Sequence, residues 1–100
     1  MTGSEGEAVR AVWKFHLEVT DTQAIKMPIG AIPLHAGINR NRLWLWALVD
    51  IDAEDTRRVF KTFRTGQNIN QGGLSYVSTY QSLDDTVFHL FDAGCPGNLP

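Results

Sequence analysis

Strict alternation of apolar and polar side chains near the start of the chain is the feature that most limits its fold. Over residues 9–20 every odd position is apolar, and every even position except Val12 is polar. A period of two places the apolar set on one face of an extended strand, whereas a helix would spread it around the circumference. Because no segment has sustained helical periodicity, the sequence predicts an all-β protein.

Further short segments with strand-like composition follow, separated by polar turns or by Gly and Pro. Pro28 cannot donate a ladder hydrogen bond, so the second strand is predicted to end there or to lie at a sheet edge. We expect one domain of six or seven short, mainly antiparallel strands, arranged as a sandwich, a curled sheet or a small barrel. The later candidate strands are residues 23–29, 34–38, 42–50, 57–65, 75–81 and 86–91, the last two joined by a hairpin with a four-residue connection.

The composition places the chain among ordinary globular domains. Apolar residues make up 43% of it and charged residues 20%. A net charge of −2 provides no general attraction to nucleic acid or anionic membranes, and no segment has the length and apolarity of a membrane span. Cys95 is the single cysteine, which excludes an intrachain disulfide and favours a cytoplasmic location. Residues 9–92 are the predicted β domain, and residues 1–8 and 93–100 are predicted to be disordered.

Residue types used in catalysis and metal binding are present but scattered. The three histidines lie on separate segments without the paired spacing of a zinc site, and the acidic residues fall mainly in predicted turns. No Gly-x-Ser-x-Gly elbow is present. The sequence therefore predicts a protein that is not an enzyme and has neither a metal nor a cofactor.

A basic segment is the first candidate for ligand binding. Arg57, Arg58, Lys61 and Arg64 lie within eight residues, where guanidinium and ammonium groups can converge on a phosphate or a carboxylate. Strand alternation divides them, with Arg57 and Lys61 on one face and Arg58 and Arg64 on the other. Two interpretations stay open: an anion site, or solvated charges that protect an edge strand from aggregation.

Aromatic side chains are the second candidate. Trp44 and Trp46 share one face of their strand, and Tyr76 and Tyr80 are predicted to share a face of theirs. Such faces suit stacking on bases and burial at interfaces, and they also suit a core. The predicted ligand-binding residues are Arg57, Arg58, Lys61, Arg64, Trp44, Trp46 and Tyr76.

Several short motifs resemble a family of small proteins of tailed phages and prophages, a domain of unknown function. The resemblance covers roughly residues 11–92. It rests on Trp13-Lys14-Phe15-His16-Leu17, Met27-Pro28-Ile29-Gly30-Ala31, Leu45-Trp46-Ala47-Leu48-Val49-Asp50, Thr56-Arg57-Arg58-Val59-Phe60, Thr65-Gly66 and Phe88-His89-Leu90-Phe91.

The resemblance implies a setting, the cytoplasm of an infected host cell. Small phage proteins without catalytic motifs often act by binding, so we expect a counter-defence protein that sequesters a nucleotide-type signal or binds a host protein. The strand at residues 42–50 is apolar on both faces, which favours a homo-oligomer. The alternative function is that of a structural or assembly accessory protein of the virion.

Overall fold

A computed structural model describes residues 8–95, which form two antiparallel β-sheets and contain no helix. Sheet A has the strand order β1-β4-β3, and sheet B has the order β2-β5-β7-β6. Neither sheet closes into a barrel, and the predicted all-β fold with antiparallel pairing is confirmed. The strands are β1 (Arg10–His16), β2 (Thr22–Pro28), β3 (Ile32–Asn39), β4 (Arg42–Asp50), β5 (Asp55–Arg64), β6 (Ser75–Gln81) and β7 (Val87–Gly94).

The segments predicted to be disordered are residues 1–8 and 93–100. Of these, residues 1–7 and 96–100 lie outside the described residues. Within residues 8–95, no helix is long and apolar enough to cross a membrane.

The first strand is shorter than its alternation predicts, because the chain changes sheets after it. β1 ends at His16, and the amide of Leu17 makes a last hydrogen bond to the carbonyl of Leu43 in sheet A, at 3.0 Å. By Asp21 the chain is beside sheet B, where the Asp21 carbonyl accepts a 2.9 Å hydrogen bond from the amide of Thr62. The apolar alternation that continues through residue 19 therefore belongs partly to a link between sheets.

One turn and one proline behave as their chemistry predicts. β2 ends at Pro28 and is an edge strand of sheet B, so the missing amide donor costs no ladder hydrogen bond. The polar turn between β3 and β4 consists of Arg40 and Asn41, whose φ angles of 54° and 64° are those of a type I′ hairpin. β3 is longer than the predicted segment and begins at Ile32, before a bulge that follows Pro33.

The core lies between the two sheets. Alternate residues of β4 are buried and face sheet B, while Trp44, Trp46 and Leu48 are half-buried on the opposite side. Complete burial of one large apolar side chain contributes about 1.5–3 kcal/mol, so this layer supplies most of the stability. The largest contributors from the two sheets and their links are Leu17, Met27, Leu43, Leu45, Val49, Phe60, Tyr80 and Leu90.

A buried ion pair joins β5, β7 and the link before β3. Nε and Nη2 of Arg58 donate to the two carboxylate oxygens of Asp92 at 3.1 and 2.7 Å, and Nη1 donates to the carbonyl of Ala31 at 2.9 Å. The side chains of Arg58 and Asp92 are only 16% and 10% exposed. A bidentate pair with an additional backbone acceptor satisfies most of the guanidinium donors, which offsets the cost of removing the charges from water.

Removal of one partner of this pair is predicted to destabilise the fold strongly. Asp92→Ala leaves the Arg58 charge buried without its carboxylate, and we expect it to lower the free energy of unfolding by about 3 kcal/mol in urea titrations. The double variant Arg58→Met with Asp92→Leu is the control, because it removes both charges. It should be more stable than Asp92→Ala, and a double variant less stable than that single variant would contradict the assigned ion pair.

Candidate functional site

The outer face of sheet B combines cations with aromatic rings. Strand register places Lys61 opposite Phe91, and Phe91 opposite Tyr76, so these three side chains form one row across three neighbouring strands. On the edge side of the same face, Arg57 lies opposite Lys26. We call this surface the basic–aromatic face and define it by Lys26, Arg57, Lys61, Phe63, Tyr76, His89 and Phe91.

The charge of the basic–aromatic face is positive, although the chain as a whole is negative. Lys26, Arg57 and Lys61 contribute three cations, and strand alternation adds one carboxylate, Asp55, at the start of β5. No ion pair within the described part of the chain joins Asp55 to these cations. The face therefore presents an excess of positive charge to an anionic ligand.

The aromatic rings form a connected cluster around Phe91. Its ring makes edge contacts with Phe63 and Tyr76, each with centroids 5.7 Å apart and with interplanar angles of 78° and 69°. This is the preferred geometry for aromatic pairs. Tyr76 is 60% exposed, so much of its ring remains in water and is accessible for stacking.

A chain of side-chain hydrogen bonds crosses the same face. The Tyr76 hydroxyl contacts Oγ1 of Thr79 at 2.7 Å, and this atom lies 2.9 Å from Nδ1 of His89. Nε2 of His89 lies 2.7 Å from Oγ1 of Thr65, in the loop after β5. With both ring nitrogens engaged, the imidazole is held in one orientation, and the hydroxyl of Tyr76 is held with it.

The sequence interpretation missed this chain because the predicted hairpin was one residue too short. The connection between β6 and β7 has five residues, 82–86, and Asp85 adopts a positive φ of 69°. This register places Thr79 opposite His89. A four-residue connection would have placed Thr79 opposite Phe88, so the correct loop length is the signal that would have paired Thr79 with His89.

A bulge separates the two tyrosines that alternation predicts to share a face. Register shifts between Tyr76 and Ser78, so side chains after the bulge change sides. Tyr80 is consequently 7% exposed and faces the core. Burial raises the pKa of the Tyr80 phenol, while a hydrogen bond with Thr62 opposes that change. Tyr80 thus belongs to the core, and Tyr76 to the surface.

Trp44 and Trp46 lie on the other side of the molecule, on the outer face of sheet A. The ammonium of Lys14 is 4.1 Å from the centroid of Trp44, whose Nε1 donates to the Asn39 carbonyl at 3.2 Å. Trp46 is stacked on His35 at a centroid distance of 5.8 Å. The two-layer arrangement therefore keeps both tryptophans away from the basic–aromatic face.

The four predicted basic residues occupy three places. Arg57 and Lys61 share the basic–aromatic face with Tyr76, as alternation predicts for the two cations. Arg58 is directed inwards to Asp92, so the structure removes it from the predicted binding set. Arg64 is exposed at the end of β5, where it lines a cleft between the sheets.

Comparisons with known proteins identify a family without an assigned activity. The family model of the domain of unknown function DUF7352 matches residues 8–98. No curated protein and no solved structure matches the chain. Among residues 8–95, no group of three or more His, Cys, Asp or Glu side chains is placed to hold a metal ion.

Thr79→Val tests the hydrogen-bond chain. The valine keeps the shape of threonine and removes the hydroxyl between Tyr76 and His89, so we expect the ¹⁵N chemical shifts of the His89 ring to move. The free energy of unfolding should change by less than about 1 kcal/mol, because the site is exposed to water. Thr22→Val is the matched control on the same face. Unchanged chemical shifts of the His89 ring in Thr79→Val would contradict the hydrogen bonds that join Tyr76, Thr79 and His89.

Proposed function

The chain belongs to the family of DUF7352 domains, whose function is unknown, and we propose that it is a non-enzymatic binding protein that captures a nucleotide-type ligand on the basic–aromatic face. The observation that carries this proposal is the row formed by Lys61, Phe91 and Tyr76. Two strand spacings separate the ends of the row, which amounts to about 10 Å. This span suits a ligand with a phosphate at one end and a base at the other.

Each part of the row has a chemical role in the proposed complex. Tyr76 stacks on the base, an interaction that contributes about 1–3 kcal/mol per base. Lys61 neutralises a phosphate, and Arg57 supplies a guanidinium that can donate two parallel hydrogen bonds to a second phosphate. The hydrogen bond between the Tyr76 and Thr79 hydroxyls limits rotation of the phenol and reduces the entropy lost on binding.

A single sheet face contacts a ligand on one side only. A second copy of the chain that packs over the ligand would cover its other side and slow its release. The proposed active form is therefore a homo-oligomer with ligand held between copies. The resemblance to phage proteins supports a biological role in which the protein sequesters a nucleotide signal of host antiviral defence in the cytoplasm.

Binding to a host protein is a second candidate, favoured by the outer face of sheet A. Val12 and Ile32 are 55% and 49% exposed there, and their register partner Leu48 lies between them on the central strand. Together with Trp46 these side chains form an apolar surface, the kind of patch that proteins use to bind one another. A structural or assembly role in the virion would use the same surface and would place the protein in purified particles.

Charge reversal on the basic–aromatic face is predicted to weaken nucleotide binding strongly. We expect Arg57→Glu and Lys61→Glu each to weaken nucleotide binding by about tenfold or more, because each replaces a phosphate partner with a repelling carboxylate. The measurement is native mass spectrometry of the full chain with adenosine nucleotides, cyclic dinucleotides and a short single-stranded oligonucleotide. Lys14→Glu, with the same charge change on the outer face of sheet A, is the matched control.

The outcomes separate the candidates. Binding of a nucleotide or cyclic dinucleotide that is lost in both variants and retained in Lys14→Glu supports the proposal. Preference for the oligonucleotide, with strong salt dependence, would identify single-stranded nucleic acid as the ligand that supplies the phosphate and the base. Absence of any added mass, or equal losses in the control, would rule the face out as a nucleotide site.

A further inference from the structure

A cleft of about 520 Å³ opens at one end of the sandwich, away from the basic–aromatic face. It lies where β1 and β5 end, marked by His16 and Arg64, and where the β3–β4 and β6–β7 turns approach each other. Its volume falls within the range of about 300–1,000 Å³ that is typical of small-molecule sites.

The walls of the cleft are largely apolar. Leu17 and Leu43 are buried at its base. Around them stand Val19, Ile38 and Leu83, which are 72%, 36% and 67% exposed. Exposed apolar side chains that are scattered singly need no explanation, but several that converge on one concave surface favour an apolar ligand.

Two guanidinium groups of the cleft are candidate partners for an anion. Arg42 at the start of β4 and Arg64 at the end of β5 both line it, one from each sheet. Among residues 8–95 the carboxylates within 4 Å of a basic side chain are Glu18, beside His16, and Asp92, beside Arg58, so neither cleft guanidinium makes such a contact in that range. The planar guanidinium of an Arg can donate two parallel hydrogen bonds to a carboxylate or a phosphate group.

The two carboxylates of the cleft are engaged in local contacts. Glu18 lies 3.1 Å from Nδ1 of His16. Asp84 accepts hydrogen bonds from Ser82 and from the amide of Thr86, which lower its pKa to about 2. Glu18 and Asp84 thus have partners of their own, and neither lies within 4 Å of the Arg42 or Arg64 guanidinium.

We propose that this cleft binds an amphiphilic anion, a molecule with a straight apolar chain and a single anionic head, of which a medium-chain fatty acid is the simplest example. The apolar chain lies against Leu17, Leu43 and Leu83, and the head group lies between Arg42 and Arg64. This site is separate from the proposed nucleotide site. It assigns Arg64, which the sequence predicts as a ligand-binding residue together with Arg57, to a different ligand.

Titration with decanoate, kept below its micelle concentration, tests the site by two-dimensional NMR of the full chain. We expect saturable shifts confined to the amides around Leu17, Leu83 and Phe88. Arg42→Gln and Arg64→Gln should each weaken decanoate binding by about tenfold or more, since each removes one of two charge-assisted contacts. Arg40→Gln is the matched control, because the same substitution two residues from Arg42 leaves the cleft lining unchanged.

Three companion probes make the test decisive. Decyl phosphate that replaces decanoate with comparable affinity supports an anionic head of either chemistry, and uncharged decanol should bind at least about tenfold more weakly. Leu83→Asp should abolish decanoate binding while the spectrum remains that of the folded protein, because Leu83 is 67% exposed. Equal binding of decanol and decanoate, shifts spread over the whole surface, or self-association through the cleft would overturn the proposal.

The proposals for the cleft and for the basic–aromatic face can be disproved independently. Arg64→Gln should leave binding of adenosine nucleotides and cyclic dinucleotides within about twofold of the unmodified protein, because Arg64 lies outside the Lys61–Tyr76 row. A parallel loss of nucleotide and decanoate binding in Arg64→Gln would contradict two separate sites.

Discussion

The ion pair between Arg58 and Asp92 determines which way β5 presents its side chains. Because side chains alternate along a strand, the inward direction of Arg58 sends Arg57 outwards and turns Phe60 into the core. A register slip of one residue would expose Phe60 and bury Lys61, at a cost in both packing and charge burial. The same guanidinium also donates to the Ala31 carbonyl, so the pair joins sheet B to the link that leads into sheet A.

Bulges then decide which residues share the outer surface. Without the shift between Tyr76 and Ser78, Tyr76 and Tyr80 would lie on the same side of β6, and the row with Lys61 and Phe91 would not exist as it does. The bulge also affects the buried side of β6, where the Ser78 hydroxyl donates to the Ala36 carbonyl at 3.1 Å. This hydrogen bond links the neighbouring edges of β6 and β3. One extra residue therefore serves both packing and the candidate site.

The two proposed binding surfaces share a strand and differ in character. Arg57 and Lys61 lie along β5 on an open, aromatic sheet face, which suits a flat ligand. Arg64 lies at the end of the same strand, beside a concave apolar cleft. Affinity on an open face depends on stacking and charge, whereas a cleft also removes the apolar part of its ligand from water. A small domain can thus offer two chemically distinct binding surfaces.

The sequence by itself determined the fold class, most of the strands, the alternatives of a strand end or a sheet edge at Pro28, and the opposite directions of Arg57 and Arg58. These properties are local, because strand periodicity and turn chemistry act between residues close in the chain. Only the tertiary structure decided that Arg58 is buried, since its partner Asp92 lies 34 residues away. It also decided that Trp44 and Trp46 lie on the opposite side of the molecule from Tyr76, and that a cleft forms between the ends of the two sheets. Those features depend on register, bulges and sheet pairing, which contacts between distant residues control and which no local pattern records.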